Sequence, residues 1–512
     1  MITSRRSFLR YAGLAPLSLF IPKSFAEETA GQLARSTPEA QGVAADAILE
    51  FIAAVEREKF ELHSFMMLRH GKVIAEGWWK PYGPEFVHTM YSMSKSFTST
   101  AVGFAVAEGH LSVEDKVVSF FPDDLPEKVS DNLASMRVKD LLTMSTGNEK
   151  EPTGVMVKEE NWARTFLAQN IAHQPGTQFM YNSAATYMCS AIMQRLTHQT
   201  VLDYLTPRLF APLGIKGMKW ETCPHGINTG GWGLSIQTEG MAKFGQFLLQ
   251  KGKWNGEPLL PAAWVEEATR FHIQQPGGDK KDRPKAQNDW LQGYGYQFWR
   301  CQGTAFRGDG AFGQFTIVLP EQDAVIVMTS ENKNMQGQLD LVWKHLLPAF
   351  RAPVADGVKR TLNLTLKPQQ GSKTSPAAKD RSFKLEANDL GLKTASMAFK
   401  DDICVFTADN QTITCGFETW QRCEAAFPGT PPRLISGGMP KQTPTSKIAA
   451  SAAWTDERTL VMQWRYYETP HSDTVTCVFD GDDVTISFLN SITAMNPKAK
   501  DARAPLKGKA VA

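Results

Sequence analysis

The sequence predicts an α+β protein in which one antiparallel sheet is flanked by helices, followed by a separate β-rich domain. Three observations carry this. Two hairpin patterns lie at opposite ends of the first 350 residues, helical periodicities fill the space between and outside them, and strand signals dominate after residue 380.

In chain order, Asp46 to Glu58 places Ile48, Phe51, Ile52 and Val55 on one helical face. Phe65 to Leu68, a His70-Gly71 turn and Val73 to Trp78 form the first hairpin pattern. Trp162 to Ala172, Ser183 to Thr197 and Thr238 to Lys251 are predicted helices. The second hairpin pattern joins Gln314 to Leu319 and Ala324 to Thr329 through Pro320-Glu321-Gln322-Asp323, and Met335 to Phe350 closes the domain as a helix. Hairpins so far apart in sequence predict one sheet sealed by both ends of the domain, spanning residues 27–350. Residues 351–380 have linker chemistry, centred on the polar, Gly- and Pro-containing stretch 369–380. Residues 381–495 form the β-rich domain, with strands over Thr459 to Tyr467 and Thr474 to Phe479, and turns at Asp401-Asp402 and Asp480-Gly481. Its Trp420, Trp454 and Trp464 are expected as core residues rather than a carbohydrate platform. Residues 496–512, rich in Lys, Ala and Pro, are expected to be disordered.

With 512 residues, 42% hydrophobic and 21% charged, the chain can bury a sizeable core. A formal charge of +2 gives no global electrostatic attraction to nucleic acid or an anionic membrane, and neither is expected as a partner. Residues 1–26 have export-signal order: the basic start Ser4-Arg5-Arg6-Ser7-Phe8-Leu9-Arg10, an apolar run from Tyr11 to Pro22, and the small-x-small site Ser24-Phe25-Ala26. The apolar run is too short to span a ~30 Å hydrocarbon core. The segment resembles a twin-arginine signal, which implies a folded protein exported to the periplasm or secreted from a bacterium. Removing its four basic residues from the 55 leaves 51 against 53 acids, a net of −2. No later apolar run reaches spanning length. Of seven cysteines, none forms a C-x-x-C pair, and the four after residue 400 are plausible disulfide partners in an oxidising compartment.

Several signatures are absent: G-x-S-x-G, H-E-x-x-H and a Walker A loop. Gly308-Asp309-Gly310-Ala311-Phe312-Gly313 matches G-x-G-x-x-G but opens a strand, so it is not read as a dinucleotide site. The ten histidines are dispersed and expected as surface or satisfied core residues; no metal and no organic cofactor is expected.

The chemistry concentrates at Ser92-Met93-Ser94-Lys95, an S-x-x-K tetrad. If a helix starts at Ser92, the hydroxyl and the amine share one face within a turn. The helix N-terminus adds free N–H groups where an oxyanion develops. Phe97, Ala101, Val102, Phe104, Ala105 and Val106 imply a buried helix, and burial lowers a lysine pKa toward the range of a working base. A second match, Ser330-Glu331-Asn332-Lys333, is read as a solvated loop formed by chance. Tyr181, on a loop just before the helix at Ser183, is the candidate third group. A nearby ammonium would favour its phenolate, making it the base in acylation and the acid toward the leaving group.

Together these residues resemble the penicillin-recognising serine hydrolases, in the class C β-lactamase-like branch that includes esterases, D-aminopeptidases and nylon-oligomer-type amidases. The resemblance covers about residues 35 to 350. It rests on the tetrad, on Asp140-Leu141-Leu142-Thr143-Met144-Ser145-Thr146-Gly147, on Phe179-Met180-Tyr181-Asn182-Ser183 in the Y-x-N slot, and on Gly230-Gly231-Trp232-Gly233-Leu234-Ser235, Gly293-Tyr294-Gly295-Tyr296 and Gly310-Ala311-Phe312-Gly313-Gln314. It implies a helical lobe beside the sheet, Ser92 as nucleophile, Lys95 as its proton partner and Tyr181 as general base. It further implies an oxyanion hole from the N–H groups of Ser92 and Ala311, beside Gly310. Ser183 replaces the usual asparagine as a substrate contact. The K-T-G segment reads Gly308-Asp309-Gly310, without the cation that holds a β-lactam or peptide carboxylate, although Arg307 lies just upstream. The expectation is an exported serine hydrolase cleaving a small, uncharged ester or amide through an acyl-enzyme. The rivals are a catalytically degenerate cell-envelope binding protein and, within the family, a β-lactamase or D-aminopeptidase.

Overall fold

The computed structural model describes residues 17–18, 31–277, 283–351, 361–435, 443–496 and 498–511. The expected signal at 1–26 lies outside them apart from the two-residue strand Leu17–Ser18.

The first domain is built on a six-stranded antiparallel sheet whose centre joins the two hairpins. Leu62–Arg69 turns into Lys72–Trp78, and Gln314–Leu319 turns into Ala324–Ser330. Ala324–Ser330 then pairs with Leu62–Arg69, so both ends of the domain meet in mid-sheet. Phe306–Gly310 and Trp299–Arg300 complete the far edge. One face is covered by Ala45–Arg57, through Ile48, Phe51, Ile52 and Val55, and by the helical run that starts at Met335. The other carries the larger core, formed with the helices Ser94–Ala107, Ser183–Thr197 and Thr238–Leu249. The helix predicted over Trp162 to Ala172 stops at Leu167.

The second domain is a β-barrel. Its sheet runs from Gln411–Phe417 back through Ile403–Ala408, Thr394–Lys400 and Arg381–Leu385. It continues through Leu506–Val511, Asp483–Asn490, Ser472–Asp480, Thr459–Tyr466 and Ser446–Trp454. A parallel pairing of Cys415 opposite Ala450 closes it on itself. Trp454 and Trp464 fill the interior, whereas Trp420 sits half-buried at the domain boundary and donates its indole N–H to Leu366 O at 2.8 Å.

Three expectations need correction here. The segment expected to be a disordered tail supplies the strand Leu506–Val511, paired with both Arg381–Leu385 and Asp483–Asn490. Leu506 and Gly508 point inward while Lys507 and Lys509 point out, a period of two that the lysines obscured. The described part of the linker is pinned to both domains: Leu364 is buried in the first core, and Ser372 pairs with Trp454. Finally, all seven cysteines are free thiols, six of them buried. Cys404 and Cys415 face each other across adjacent strands, and burial pushes the Cys404 thiol up to about 12.

Arg503 fastens the last segment by binding the carboxylate of Asp473, which has no solvent exposure, at 2.5 and 3.1 Å. Arg503→Ala leaves that carboxylate without its cation and should destabilise the barrel by about 3 kcal/mol, measured by urea unfolding.

Candidate active site

The Ser92 turn departs from the expected geometry. Tyr91–Met93 is a 3₁₀ turn, and the α-helix begins only at Ser94. Tyr91 has φ of +48°, a left-handed conformation costing about 1–2 kcal/mol for a residue with a Cβ. The turn presents Ser92 half-exposed, while Lys95, one turn on, is 1% exposed.

The Lys95 ammonium nitrogen lies 3.0 Å from Ser92 Oγ, 3.0 Å from Ser183 Oγ and 2.7 Å from Gly231 O, using the three donors an ammonium carries. It also sits 4.9 Å from the centre of the Tyr181 ring. Burial lowers this amine from an ordinary 10.5 to about 7, against the opposing fields of Glu151 and Asp309. Ser183, expected as a substrate contact, thus has its hydroxyl on the lysine. The preceding Asn182 caps the Ser183–Thr197 helix by accepting from Ala185 N at 3.1 Å and donates to Thr146 Oγ1 at 3.1 Å. Glu151 Oε1 accepts the Ser183 N–H at 2.9 Å, which brings a carboxylate to the same corner.

Tyr181 lies at the same corner, its ring centre 4.9 Å from the Lys95 nitrogen and stacked on Trp299 at 5.6 Å. Burial raises this phenol above its ordinary range, despite the opposing influence of the Ser92 hydroxyl. The phenolate expected from the sequence is therefore not favoured: desolvation, which penalises the charged form of both groups, outweighs their attraction. The resting pair is a neutral or half-protonated amine beside a protonated phenol.

Strand Phe306–Gly310 approaches this turn edge on. A Cβ at Gly310 would stand 2.1 Å from Met90 O, and one at Gly308 would stand 3.1 Å from both Met93 Cγ and Ser96 Oγ. The G-x-G spacing therefore has a packing cause, since these alternate strand residues face the Ser92 turn and its helix: a side chain at 310 would clash with backbone, and one at 308 would crowd Met93 and Ser96. Ala311 follows in the turn, its carbonyl accepting from Gln314 Nε2 at 2.9 Å. The other face of the strand holds Arg307 and Asp309. Arg307 is fully buried, bonded to Asp309 Oδ2 at 2.8 Å and to Asp289 O at 3.0 Å, with Trp290 4.6 Å from its guanidinium. It is spent inside the domain and does not replace the missing surface cation. Burial raises Asp309 to about 6 in spite of Arg307.

Sequence reasoning missed Gly231 O, Glu151 and the Ser330–Asn332 segment. Gly231 lay within a quoted landmark, but nothing local marked its carbonyl; Glu151 carried no signal. Ser330, Glu331 and Asn332, read as a solvated loop, are all buried. Ser330 Oγ donates to Phe312 O at 2.7 Å and Asn332 Oδ1 accepts from Glu61 N at 2.8 Å, so partners from distant elements satisfy these polar groups. Among the described residues there is no group of three or more His, Cys, Asp or Glu placed to hold a metal ion.

An antiparallel sheet between helical layers, with a caged amine one turn beyond a half-exposed serine, defines a β-lactamase-like serine hydrolase. The chain belongs to the beta-lactamase family, whose family model matches residues 52–346, more than half its length. It is 25% identical over 317 residues to the 6-aminohexanoate-dimer hydrolase of Paenarthrobacter ureafaciens, covering 58% of this chain and 79% of that protein. Protein flp of Staphylococcus aureus strain MW2 is 24% identical over 170 residues, 30% of this chain and only 33% of its own length. Among solved structures, EstCE1, described as a hydrolase with promiscuous acyltransferase activity, is similar with TM-score 0.49 and 15% identity, covering 60% of this chain and all of that one. The octameric penicillin-binding protein homologue from Pyrococcus abyssi is similar over 90% of this chain and 99% of its own, with TM-score 0.47 and 14% identity.

Because the folded amine sits below its unfolded value, the unfolded chain binds more protons between pH 7 and about 10, and this group's contribution to stability rises with pH across that window. Lys95→Met should therefore stabilise the protein at pH 7 by about 1–3 kcal/mol, with the gain shrinking toward pH 10, followed by urea unfolding at both pH values.

Proposed function

We propose that this protein hydrolyses a small ester or amide through an acyl-enzyme on Ser92. The observation that carries the reading is the Lys95 nitrogen 3.0 Å from Ser92 Oγ, in a cage that lowers the amine to about 7. A half-neutral amine at hydrogen-bond distance from a hydroxyl is a general base at neutral pH.

Neutral Lys95 takes the proton of Ser92 as Oγ attacks the carbonyl carbon. The N–H groups of Ser92 and Ala311 receive the oxyanion, with Gly310 letting the strand come close enough to aim the second. Tyr181, already protonated, gives its proton to the departing oxygen or nitrogen and regains one from the Lys95 ammonium. Water then attacks the acyl carbon, surrendering a proton to the same relay, and Ser92 leaves with its proton restored. Each cycle returns both groups to their resting charge.

Uncharged acyl groups are favoured. The position of the family's K-T-G cation holds Gly308, and Arg307 is engaged with Asp309 and Asp289 inside the domain. The same missing cation motivates the rival, an inert binding protein. The caged lysine speaks against it, because burying an amine without using its lowered pKa is a pure cost.

Ser92→Ala should abolish both fluorophosphonate labelling and turnover of a short-chain p-nitrophenyl ester, and Tyr181→Phe should lower kcat by about 10²–10⁴-fold. In the wild type, kcat/KM should rise with pH through about 7 as Lys95 loses its proton, and the ester should be preferred to nitrocefin. An unlabelled wild-type protein would overturn the enzymatic reading.

The Arg5-Arg6 start followed by a short apolar run supports export in a folded state. Replacing both arginines by lysine should retain the full-length chain in the cytoplasm, read by fractionation of the bacterial cell.

A further inference from the structure

The barrel touches the first domain at the nucleophile's own turn. Thr89 N donates to Glu468 O at 3.0 Å, and Tyr82 Oη donates to Thr469 O at 3.2 Å, so the barrel turn after Thr459–Tyr466 lies along the segment leading to Ser92. Arg465, on the same strand, grips Glu61 with two hydrogen bonds at 2.5 and 3.0 Å. Next in line is His471, buried, with Nε2 hydrogen-bonded to the Tyr91 hydroxyl.

Three features set this contact apart from ordinary domain packing. First, Tyr91 is the residue held at φ +48°, immediately before Ser92. Second, His471 also packs edge-on against Phe312, with ring centres 5.0 Å apart, and Phe312 has φ of +67° immediately after Ala311. One imidazole therefore braces both left-handed residues that flank the two N–H groups assigned to the oxyanion. Third, the imidazole is itself oriented. Its Nδ1 lies 2.6 Å from Glu331 Oε1, and Glu331 also accepts from Ser491 Oγ at 2.5 Å. That contact orients the ring: Nδ1 is held by the Glu331 carboxyl and Nε2 faces the Tyr91 hydroxyl. Glu331 adjoins Ser330, whose hydroxyl donates to Phe312 O at 2.7 Å.

We propose that His471, supplied by the β-barrel and oriented by Glu331, is a positioning residue for the hydrolase site: it holds Tyr91 and Phe312 so that the turns carrying Ser92 and Ala311 face one another. This rests on the acyl-enzyme reading above. The barrel is then part of the catalytic apparatus, although it contributes no group to the reacting atoms. Loss of this brace loosens the oxyanion hole, which acts in the transition state, and leaves substrate binding largely intact.

The test uses the full chain with Tyr91→Phe, His471→Ala, the double variant and His471→Gln. It measures the rate of Ser92 labelling by a fluorophosphonate, and kcat and KM on a p-nitrophenyl ester. Each single variant should slow labelling and lower kcat about five- to tenfold, the scale of one buried hydrogen bond, with KM within about twofold. The double variant should lose no more than the worse single one, since both remove the same contact. The side-chain amide oxygen that His471→Gln introduces can accept from the phenol, so this variant should recover part of the loss. Wild-type rates in both single variants, or losses that multiply in the double variant, would overturn the proposal. Should His471→Ala fail to fold, Tyr91→Phe, which deletes a single oxygen, carries the same readout. An unlabelled wild type overturns the acyl-enzyme reading itself, and this proposal with it.

Discussion

The desolvated amine of Lys95 is the constraint around which the first domain is arranged. An ammonium out of water needs an acceptor for every proton, and the three it has come from three places in the chain: Ser92 on its own turn, Ser183 at the head of a second helix and Gly231 on a loop. Satisfying that demand ties two helices and one loop to a single nitrogen. The helix that carries Lys95 is buried from Ser94 to Ala105, which explains its low amphipathicity and its mixture of Phe, Val and Ala with small hydroxyl residues. Most of those hydroxyls are satisfied by a nearby carbonyl, Thr98 by Gly230 O at 2.9 Å and Ser96 by Gln297 O at 2.9 Å, whereas the buried Ser99 hydroxyl has no partner among the described residues.

The strand Phe306–Gly310 comes unusually close to the Ser92 turn. The strand that faces the nucleophile gives up side chains at 308 and 310 on that side and places an ion pair, Arg307 with Asp309, on the other. The two faces have opposite jobs. One brings Gly310 against the Met90 carbonyl two residues before Ser92, and the other anchors the strand beneath Trp290 and Trp299. The same aromatic wall orients Tyr181, so strand placement and phenol placement are mechanically linked through Trp299.

What the sequence revealed follows how local each interaction is. Ser92 and Lys95 lie three apart, and a one-turn relationship is readable from spacing alone. The two hairpins were legible because each is closed by its own turn, and their pairing in mid-sheet follows once one sheet must bury both apolar faces. The lysine's other acceptors were not legible, since a glycine carbonyl carries no signature of what it binds. Polarity misled at Ser330-Glu331-Asn332, where three hydrophilic residues are buried because Phe312, His471 and Glu61 come to meet them. It misled again at the last strand, where lysines on the outer face hid the inward Leu506. The phenolate expected at Tyr181 failed for a different reason: sequence reasoning counted the attraction of a nearby cation but had no measure of the desolvation that outweighs it.

Within the barrel the first strand, Arg381–Leu385, also pairs with the last, Leu506–Val511, so one seam joins segments far apart along the chain. Such closure has little local help, because the partners must be brought together across the whole barrel sequence. The imidazole that touches Tyr91 belongs to this ring. On the role proposed for His471, the site in the first domain would therefore depend on closure of the second, and a chain with an open barrel would hold Ser92 and Lys95 one turn apart without that support.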